Sequence, residues 1–521
     1  MMVTIGVDLG TSYASVAAFR DGKPVILPNR EGARRTPAIV ALSKSGEWWS
    51  GQAAKRQAVT NPRGTFWDFL RLLGERFDSP AVRSISTLAP FEVVEGQDGY
   101  ARLQAQGTAL HPATLVAILL AALKRDAEMA LRVPVGGAVI AVPPMFHLGQ
   151  EQLVRDASRL AGFEWVLIQP STTLAALAPR NATDSAKRIA LCDLGGGSFS
   201  VSLVEDDGQV CTVLSTEWER FVGGEDFDQL LVRYLLERLG KEERLDASRD
   251  PLALVHFKEA AESAKRRLSV LAEVRVEVPL GGDRLWTPTL RRTELESQLA
   301  PQLEWIASPC KKALQGAGLT KQKIDVVLLF GGSSRIPKVN EMLSGVFEKD
   351  PTPGLHPDDA PALGAAVRAA MLEGDRVDRV LMDVSRHHVA VEGPPGRITP
   401  ILSRHSGVPS RATCSFETTD SRLELNILQG TSERVEENLF LGRLLWEVPF
   451  RHGPTAVVVA VEVDVAGNVS VEAGDVASGL TRQILLRAGG SLGDDDRERT
   501  LAEVRRSREG YVAADQGRDA G

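Results

Sequence analysis

Two short apolar runs in this chain end in the same way. Ile5-Gly6-Val7-Asp8-Leu9-Gly10-Thr11 closes on Asp-Leu-Gly and a hydroxyl, and Ile189-Ala190-Leu191-Cys192-Asp193-Leu194-Gly195-Gly196-Gly197-Ser198 repeats the plan. Further strand-like segments follow each run, at 15–19 and 26–27 after the first and at 199–204 and 210–215 after the second. Apolar positions then recur at helical spacing over 112–131, 150–161, 225–239, 253–271 and 293–315, which predicts amphipathic helices. Apolar strands mixed with such helices indicate α/β lobes. The same strand-turn device found twice predicts a duplicated lobe with a cleft between the copies.

Near residue 375 the periodicity changes. Helical spacing ends at Met371-Leu372-Glu373-Gly374, and short alternating segments take over. Leu423-Glu424-Leu425-Asn426-Ile427 alternates apolar and polar, as does Val461-Glu462-Val463-Asp464-Val465. Ala466-Gly467-Asn468 and then Val469-Ser470-Val471 complete a predicted hairpin. Residues 384–487 are therefore expected to be all-β, a sandwich. The residues beyond 487 are polar and charged, which predicts a short helix near 494–508 followed by disorder.

The chain has 521 residues, which predicts about three units at roughly 100–200 residues each. A net charge of −7 leaves no broad basic surface, so neither nucleic acid nor a membrane surface is expected as partner. Apolar runs such as 115–123 fall short of the ~18 residues that span a bilayer. The opening Met-Met-Val-Thr-Ile-Gly-Val-Asp lacks a basic stretch and a cleavage site, so the expected location is cytoplasmic. Cys192, Cys211, Cys310 and Cys414 are scattered without a Cys-x-x-Cys spacing, as reduced thiols are.

A strand that delivers a carboxylate and then turns on glycines suits a metal-bound polyphosphate. Glycine lets backbone N–H groups approach phosphate oxygens, and magnesium needs only one or two carboxylates beside its waters. Asp8 and Asp193 fit that role from opposite lobes, with Thr11, Ser12 and Ser198 adding hydroxyls. A third glycine turn, Leu329-Phe330-Gly331-Gly332-Ser333-Ser334-Arg335-Ile336-Pro337, carries a guanidinium able to stack on a base.

Three such turns with two carboxylates resemble the actin-like (ribonuclease H-like) ATPase superfamily. The segments between them resemble, more narrowly, the 70-kilodalton heat-shock chaperone family. Gly51-Gln52-Ala53-Ala54-Lys55-Arg56-Gln57-Ala58-Val59-Thr60-Asn61-Pro62 is close to one hallmark, and Ala138-Val139-Ile140-Ala141-Val142-Pro143 to the connecting strand. Val222-Gly223-Gly224-Glu225-Asp226-Phe227-Asp228 is another signature, and residues 259–269 match the helix that closes over adenosine. The resemblance implies a two-lobed ATPase domain at 1–378, an apolar linker at 379–383, a peptide-binding sandwich at 384–487 and a remnant of a helical lid at 488–521. It implies Asp8, Asp193 and Ser198 in catalysis, with magnesium held by Asp8 and Asp193 through water. It implies ATP or ADP contacts from Gly10, Thr11, Ser12, Gly195, Gly196, Gly197, Gly223, Gly224, Glu262, Lys265, Ser269, Gly331, Gly332 and Arg335. Pro143, Val380, Leu381, Met382 and Asp383 would couple the domains. Ile398, Leu423, Leu425 and Ile427 lie in strands flanking the peptide channel, and the pattern leaves open which of them face a substrate. Implied partners are unfolded apolar segments, a J-domain co-chaperone and a nucleotide exchange factor.

The departures from the family cluster at its catalytic centre. In Phe69-Leu70-Arg71-Leu72-Leu73-Gly74, Leu70 stands at a family lysine, and Ser171 stands at a glutamate. Ser200 replaces an aspartate and Ser198 a threonine, while His147 and Glu151 replace an asparagine and an arginine. Arg71 follows Leu70 but, on a helix, is expected to point ~100° away. His147 reads as a surface residue rather than a replacement base. The expectation is an ATP-binding chaperone. The alternative is a nucleotide-binding holdase or regulator with little hydrolysis. A small-molecule kinase of the same superfamily is disfavoured by the linker, the β-domain and the adenosine helix.

Overall fold

The computed structural model describes residues 2–516 except 180–187, 283, 354–356, 376, 378, 394–395, 419–421, 448–454, 476–478 and 487–490. The first lobe is built on β1 (Val3–Leu9), β2 (Tyr13–Arg20), β3 (Lys23–Leu27), β4 (Val135–Val142) and β5 (Trp165–Pro170), in the order β5-β4-β1-β2-β3. All of β4 is buried, as a parallel strand covered on both faces must be. Helices α1 (Pro112–Leu131) and α2 (Leu148–Leu160) accompany this sheet.

The second lobe repeats the plan. It contains β6 (Arg188–Leu194), β7 (Ser198–Asp206), β8 (Val210–Arg220) and β9 (Val326–Phe330). β6 runs antiparallel to β7 and parallel to β9, as β1 does to β2 and β4. Helices α3 (Gly224–Glu243), α4 (Pro251–Leu268) and α5 (Arg292–Gly316) agree with their sequence expectations to within a few residues. α4 starts where the sequence supplies both signals: Asp250 Oδ1 accepts from Leu252 N at 2.9 Å, and Pro251 occupies the first turn. β8 runs five residues past its expected end, because 216–220 pair with 198–202 although they are not apolar.

A last helix, α6 (Ala360–Glu373), joins the lobes. It lies so close to β1 that a Cβ on Gly6 would meet Ala366 N at 2.3 Å. Its Leu363 and Ala366 share a core with Ala17 of the first lobe and with Ile189 and Leu191 of the second.

The linker segment forms strand β10 (Val380–Val384), which adds in parallel to the edge of the second lobe's sheet beside β8. The sandwich follows as β11 (His388–Gly393), β12 (Arg397–Leu402), β13 (Ser410–Thr418), β14 (Arg422–Gly430), β15 (Leu439–Glu447), β16 (Thr455–Val463), β17 (Val469–Asp475) and β18 (Thr481–Leu485). Its sheets have the orders β12-β11-β14-β15 and β13-β16-β17-β18. The expected hairpin is β16–β17, ending at the pair Val463↔Val469. Its first strand stops two residues early, because Asp464 Oδ1 accepts from Ala466 N and Asn468 N and closes the turn.

The end of the chain departs from expectation. α7 (Asp494–Gln516) is longer than 494–508 and packs on α1 and α2 of the first lobe. Leu492 and Val504 enter that lobe's core. The hydroxyls of Thr114 and Thr500, both buried, lie 2.8 Å apart, and Trp48 Nε1 donates to Glu503 at 2.7 Å. Buried Asp156 accepts from Leu492 N at 3.1 Å and pairs with Arg497 at 3.3 Å. Two apolar residues and a few hydroxyls suffice because they meet a preformed surface. Disorder was expected from 509 on, but the helix continues to Gln516, and 517–521 lie outside the described residues.

The sandwich sits against both lobes through a polar joint. Arg386 pairs with Glu151 at 2.5 Å and donates to Pro144 O at 3.0 Å. Arg404 pairs with Glu217 at 3.0 Å and lies 5.2 Å from the Trp218 ring. Gln429 Oε1 accepts from Leu148 N at 2.9 Å. His147 is no surface residue: its Nδ1 accepts from Gln150 N at 3.2 Å and caps α2 at this joint. His387, His388 and His405 lie there too. Burial first, then nearby arginines, hold all four pKa values down: His147 to about 4, His387 well below its usual value, His388 and His405 lower than usual.

When docking depresses a histidine pKa, the separated state takes up the proton first. The histidine contribution is therefore full above the ordinary range near ~6.5 and declines as pH falls below it. Asp383, raised by burial, has the opposite sign, but it is one group against four. Docking of the sandwich on the lobes should weaken as pH falls from about 6.5 toward about 4. Small-angle X-ray scattering should show the radius of gyration growing over that interval; an unchanged radius refutes the expectation.

Candidate functional site

The cleft between the lobes encloses about 840 Å³. β1 and β6 end on it and deliver Asp8 and Asp193. Gly10, Thr11 and Ser12 line one wall, and Gly195, Gly196, Gly197 and Ser198 line the facing one. The loops interlock. A Cβ on Gly196 would lie 2.0 Å from Ser12 Oγ, so a side chain there must push that hydroxyl from its place, where it donates to Glu225 at 2.7 Å. Gly224 N donates to Gly195 O at 2.9 Å and Glu225 N to Gly196 O at 2.8 Å, which fastens the start of α3 beneath the loop. Gly223 packs behind it, with Gly196 O 2.4 Å from where its Cβ would be. Gly331 takes φ 79° against Leu194 O, a backbone that favours glycine.

The residues expected to meet adenosine share the cleft wall. Glu262, Lys265, Ser269, Gly332 and Arg335 all line the cleft. Lys265 Nζ donates to Gly224 O and Asp228 Oδ2, each at 2.7 Å. Arg335 grips Asp358 with two bonds of 2.8 and 2.6 Å. Glu262 spans the lobes, pairing with Lys55 at 2.9 Å and accepting from Tyr13 Oη at 3.2 Å.

Desolvation dominates the electrostatics of the two central carboxylates. Burial, reinforced by Asp193, raises the Asp8 pKa well above the usual carboxylate range, while Arg35 opposes the rise. Burial raises Asp193 to about 6, and its hydrogen bond from Ser171 works against that. Glu225 is also buried, but Lys258, Lys265 and Ser12 outweigh burial and hold it at about 2. Asp226 Oδ2 and Asp228 Oδ1 are buried without a hydrogen-bond partner. Two desolvated carboxylates with hydroxyls nearby suit a hard divalent cation with oxygen ligands. Such a cation would be held by Asp8 and Asp193 and would neutralise phosphate charge.

The replaced positions behave differently from one another. Leu70 is 2% exposed and belongs to the first lobe's core, away from the cleft. Arg71 points away from Leu70, as expected of a helical neighbour. The turn Phe69–Leu72 is a 3₁₀ helix, and Arg71 crosses to the other lobe. Its Nη2 lies 2.7 Å from Asp226 Oδ1, and its Cδ backs onto Gly197. It supports the phosphate loop from behind and does not line the cleft. Ser171 does line it and donates to Asp193 Oδ2 at 3.2 Å; Ser200 lines it too.

The residues expected to couple the domains make a short line of contacts from the cleft to β10. Ser171 and Thr173 share the helix Ser171–Ala175, and Thr173 Oγ1 donates to Asp383 Oδ1 at 3.3 Å. Pro143 lines the cleft, and the neighbouring Pro144 carbonyl binds Arg386. Leu381 is half-buried, whereas Val380 and Met382 are more than half exposed. Sequence reasoning missed Tyr13, Arg35 and Asp358 at the cleft mouth. Lys55 sat unremarked within the quoted hallmark, and Arg35 belongs to no motif.

Two α/β lobes closing glycine loops and two partly buried carboxylates on one cleft make a two-lobed cleft protein. A family model described as Hsp70 protein matches residues 4–519, nearly the whole chain. The chain belongs to the Hsp70 family, whose members generally bind ATP or ADP with magnesium and act as ATP-dependent chaperones. No described helix is long and apolar enough to cross a membrane.

Gly196→Ala should weaken ATP binding by a few-fold, about 1 kcal/mol, since its Cβ displaces the Ser12 hydroxyl from Glu225. Adding Ser12→Ala should recover part of the loss. Titration calorimetry at fixed magnesium checks both; unchanged affinity in Gly196→Ala contradicts the interlock.

Proposed function

We propose that this chain is an ATP-binding chaperone that captures extended apolar segments under nucleotide control and hydrolyses ATP slowly. The observation that carries the slow step is the fate of the two replaced positions. Leu70 is turned into the core and offers neither charge nor donor. Ser171 is committed to Asp193 and cannot orient an attacking water as a carboxylate would. A leaving γ-phosphate gathers negative charge that preorganised cations stabilise, and loss of one such group costs roughly 10²–10³ in rate. Losses within one site do not simply add. Asp8, Asp193 and the glycine loops need neither residue, so binding persists. This equally supports a holdase in which ATP acts as a ligand rather than a fuel.

Single-turnover cleavage should be slow in the wild type and faster by about tenfold or more in Leu70→Lys with Ser171→Glu. Equal rates in the two would mean that another group performs the chemistry.

The peptide reading rests on the sandwich. Ile398 is half-buried on β12, an edge strand, where extended peptides can add by main-chain hydrogen bonds. The loop before β15 covers part of this edge, since Ile398 N donates to Glu433 O at 3.0 Å. Leu423, Leu425 and Ile427 lie in the sandwich core, so they would meet a peptide only after the sheets part locally. The main contacts of α7 are with the first lobe, so its described residues are held there rather than over the sandwich as a lid would be. Capture should therefore be weak and release fast. Fluorescence anisotropy of labelled apolar peptides should show dissociation within seconds; release over hours, or no binding, would refute it. A J-domain co-chaperone and an exchange factor belong to the same proposal, as does a cytoplasmic location.

A further inference from the structure

The cleft mouth carries an arginine that the motifs do not account for. Arg35 precedes the short strand Thr36–Pro37 of the first lobe and lines the cleft. Its guanidinium carbon lies 5.2 Å from the centroid of the Tyr13 ring. Its Nη1 lies 3.1 Å from Asp358 Oδ1, and the side chain keeps 32% of its surface exposed. Asp358 is the carboxylate that Arg335 of the second lobe grips with two bonds. The residue before it is fastened to the second lobe, Gly331 N donating to Pro357 O at 2.9 Å. Tyr13, Arg35, Asp358 and Arg335 therefore form a continuous chain of contacts from one lobe to the other.

Tyr13 takes part in a second crossing as well, because its hydroxyl donates to the Glu262 that Lys55 holds. The two crossings meet at one ring, so opening the cleft breaks both. Arg35 suits the joint of such a closure. A guanidinium can stack on an aromatic face and still direct N–H groups in its own plane. The Asp358 pair leaves several of its five donors free for a ligand in the cleft.

We propose that Arg35 is a nucleotide-retaining clamp: it closes the cleft over a bound nucleoside polyphosphate and sets the rate of release. This rests on the nucleotide reading above and adds what governs residence time. In a protein that hydrolyses slowly, that rate decides how long each nucleotide state lasts. The clamp acts on closure after binding, so it bears on dissociation far more than on association.

The experiment is stopped-flow release of N-methylanthraniloyl-ADP, chased with excess ATP, from the full-length protein with magnesium. Arg35→Gln should release about tenfold faster, the scale of a partly buried ion pair with a cation–π contact, with association within about twofold. Arg35→Lys should fall between, since an ammonium keeps the charge but cannot stack and pair at once. Added sodium chloride should speed release from the wild type more than from Arg35→Gln, because screening weakens the pair that only the wild type retains. Release within twofold of wild type in Arg35→Gln, or equal salt dependence in the two, overturns the clamp alone. No labelled-nucleotide signal from folded wild type overturns the nucleotide reading and the clamp with it.

Discussion

Asp8 and Asp193 are two carboxylates that β1 and β6 carry into one buried cleft, where each would be charged in water. Bringing them there costs desolvation, and Asp193 adds repulsion at Asp8. A protein can hold such groups only if a cation compensates or the surroundings are rigid enough to bear the strain. Here the surroundings are a ring of cross-lobe pairs. Ser12 binds Glu225, Arg71 binds Asp226, Lys55 binds Glu262 and Arg35 binds Asp358. Each joins a first-lobe donor to an acidic group across the cleft or at its hinge. Closure of the lobes and tolerance of the acidic centre are thus one arrangement.

The same centre lies a few contacts from the sandwich. Ser171 touches Asp193, and Thr173 on the same short helix touches Asp383 of the linker strand. Beyond the linker, Arg386 reaches Glu151 and the carbonyl beside Pro143. Where the family carries an arginine, this chain has Glu151, and Arg386 faces it. A joint built this way keeps a physical connection between cleft and sandwich even though the residues proposed for fast hydrolysis are gone.

Much of this was legible beforehand because it is local. The paired Asp-Leu-Gly turns, the helices over 112–131 and 293–315 and the hairpin at 461–471 are written in periodicity and glycine placement over a few residues. The cleft-lining glycines, Glu262, Lys265 and Arg335 followed from motifs with a backbone reason behind them. Other features were not legible. Arg35 and Asp358 are ordinary charged residues in loops, 323 positions apart by their numbers. Val504 and Thr500 sit in a polar tail whose composition suggested nothing to bury, because the apolar surface they cover belongs to α1 and α2. Arg71 meets Asp226 of α3, 155 positions away, a proximity that the residue types do not mark.

The sequence by itself determined which segments become strands and helices, where the backbone must turn on glycine, and that two carboxylates arrive at equivalent strand ends. Those properties depend on neighbours within a turn or two of chain. Only the tertiary structure decided that Leu70 is core, that His147 caps a helix at a domain joint, and that the last helix rests on the first lobe. It also decided which acidic group each arginine meets. Long side chains choose partners by proximity and burial, and proximity between distant segments exists only once the sheets have packed.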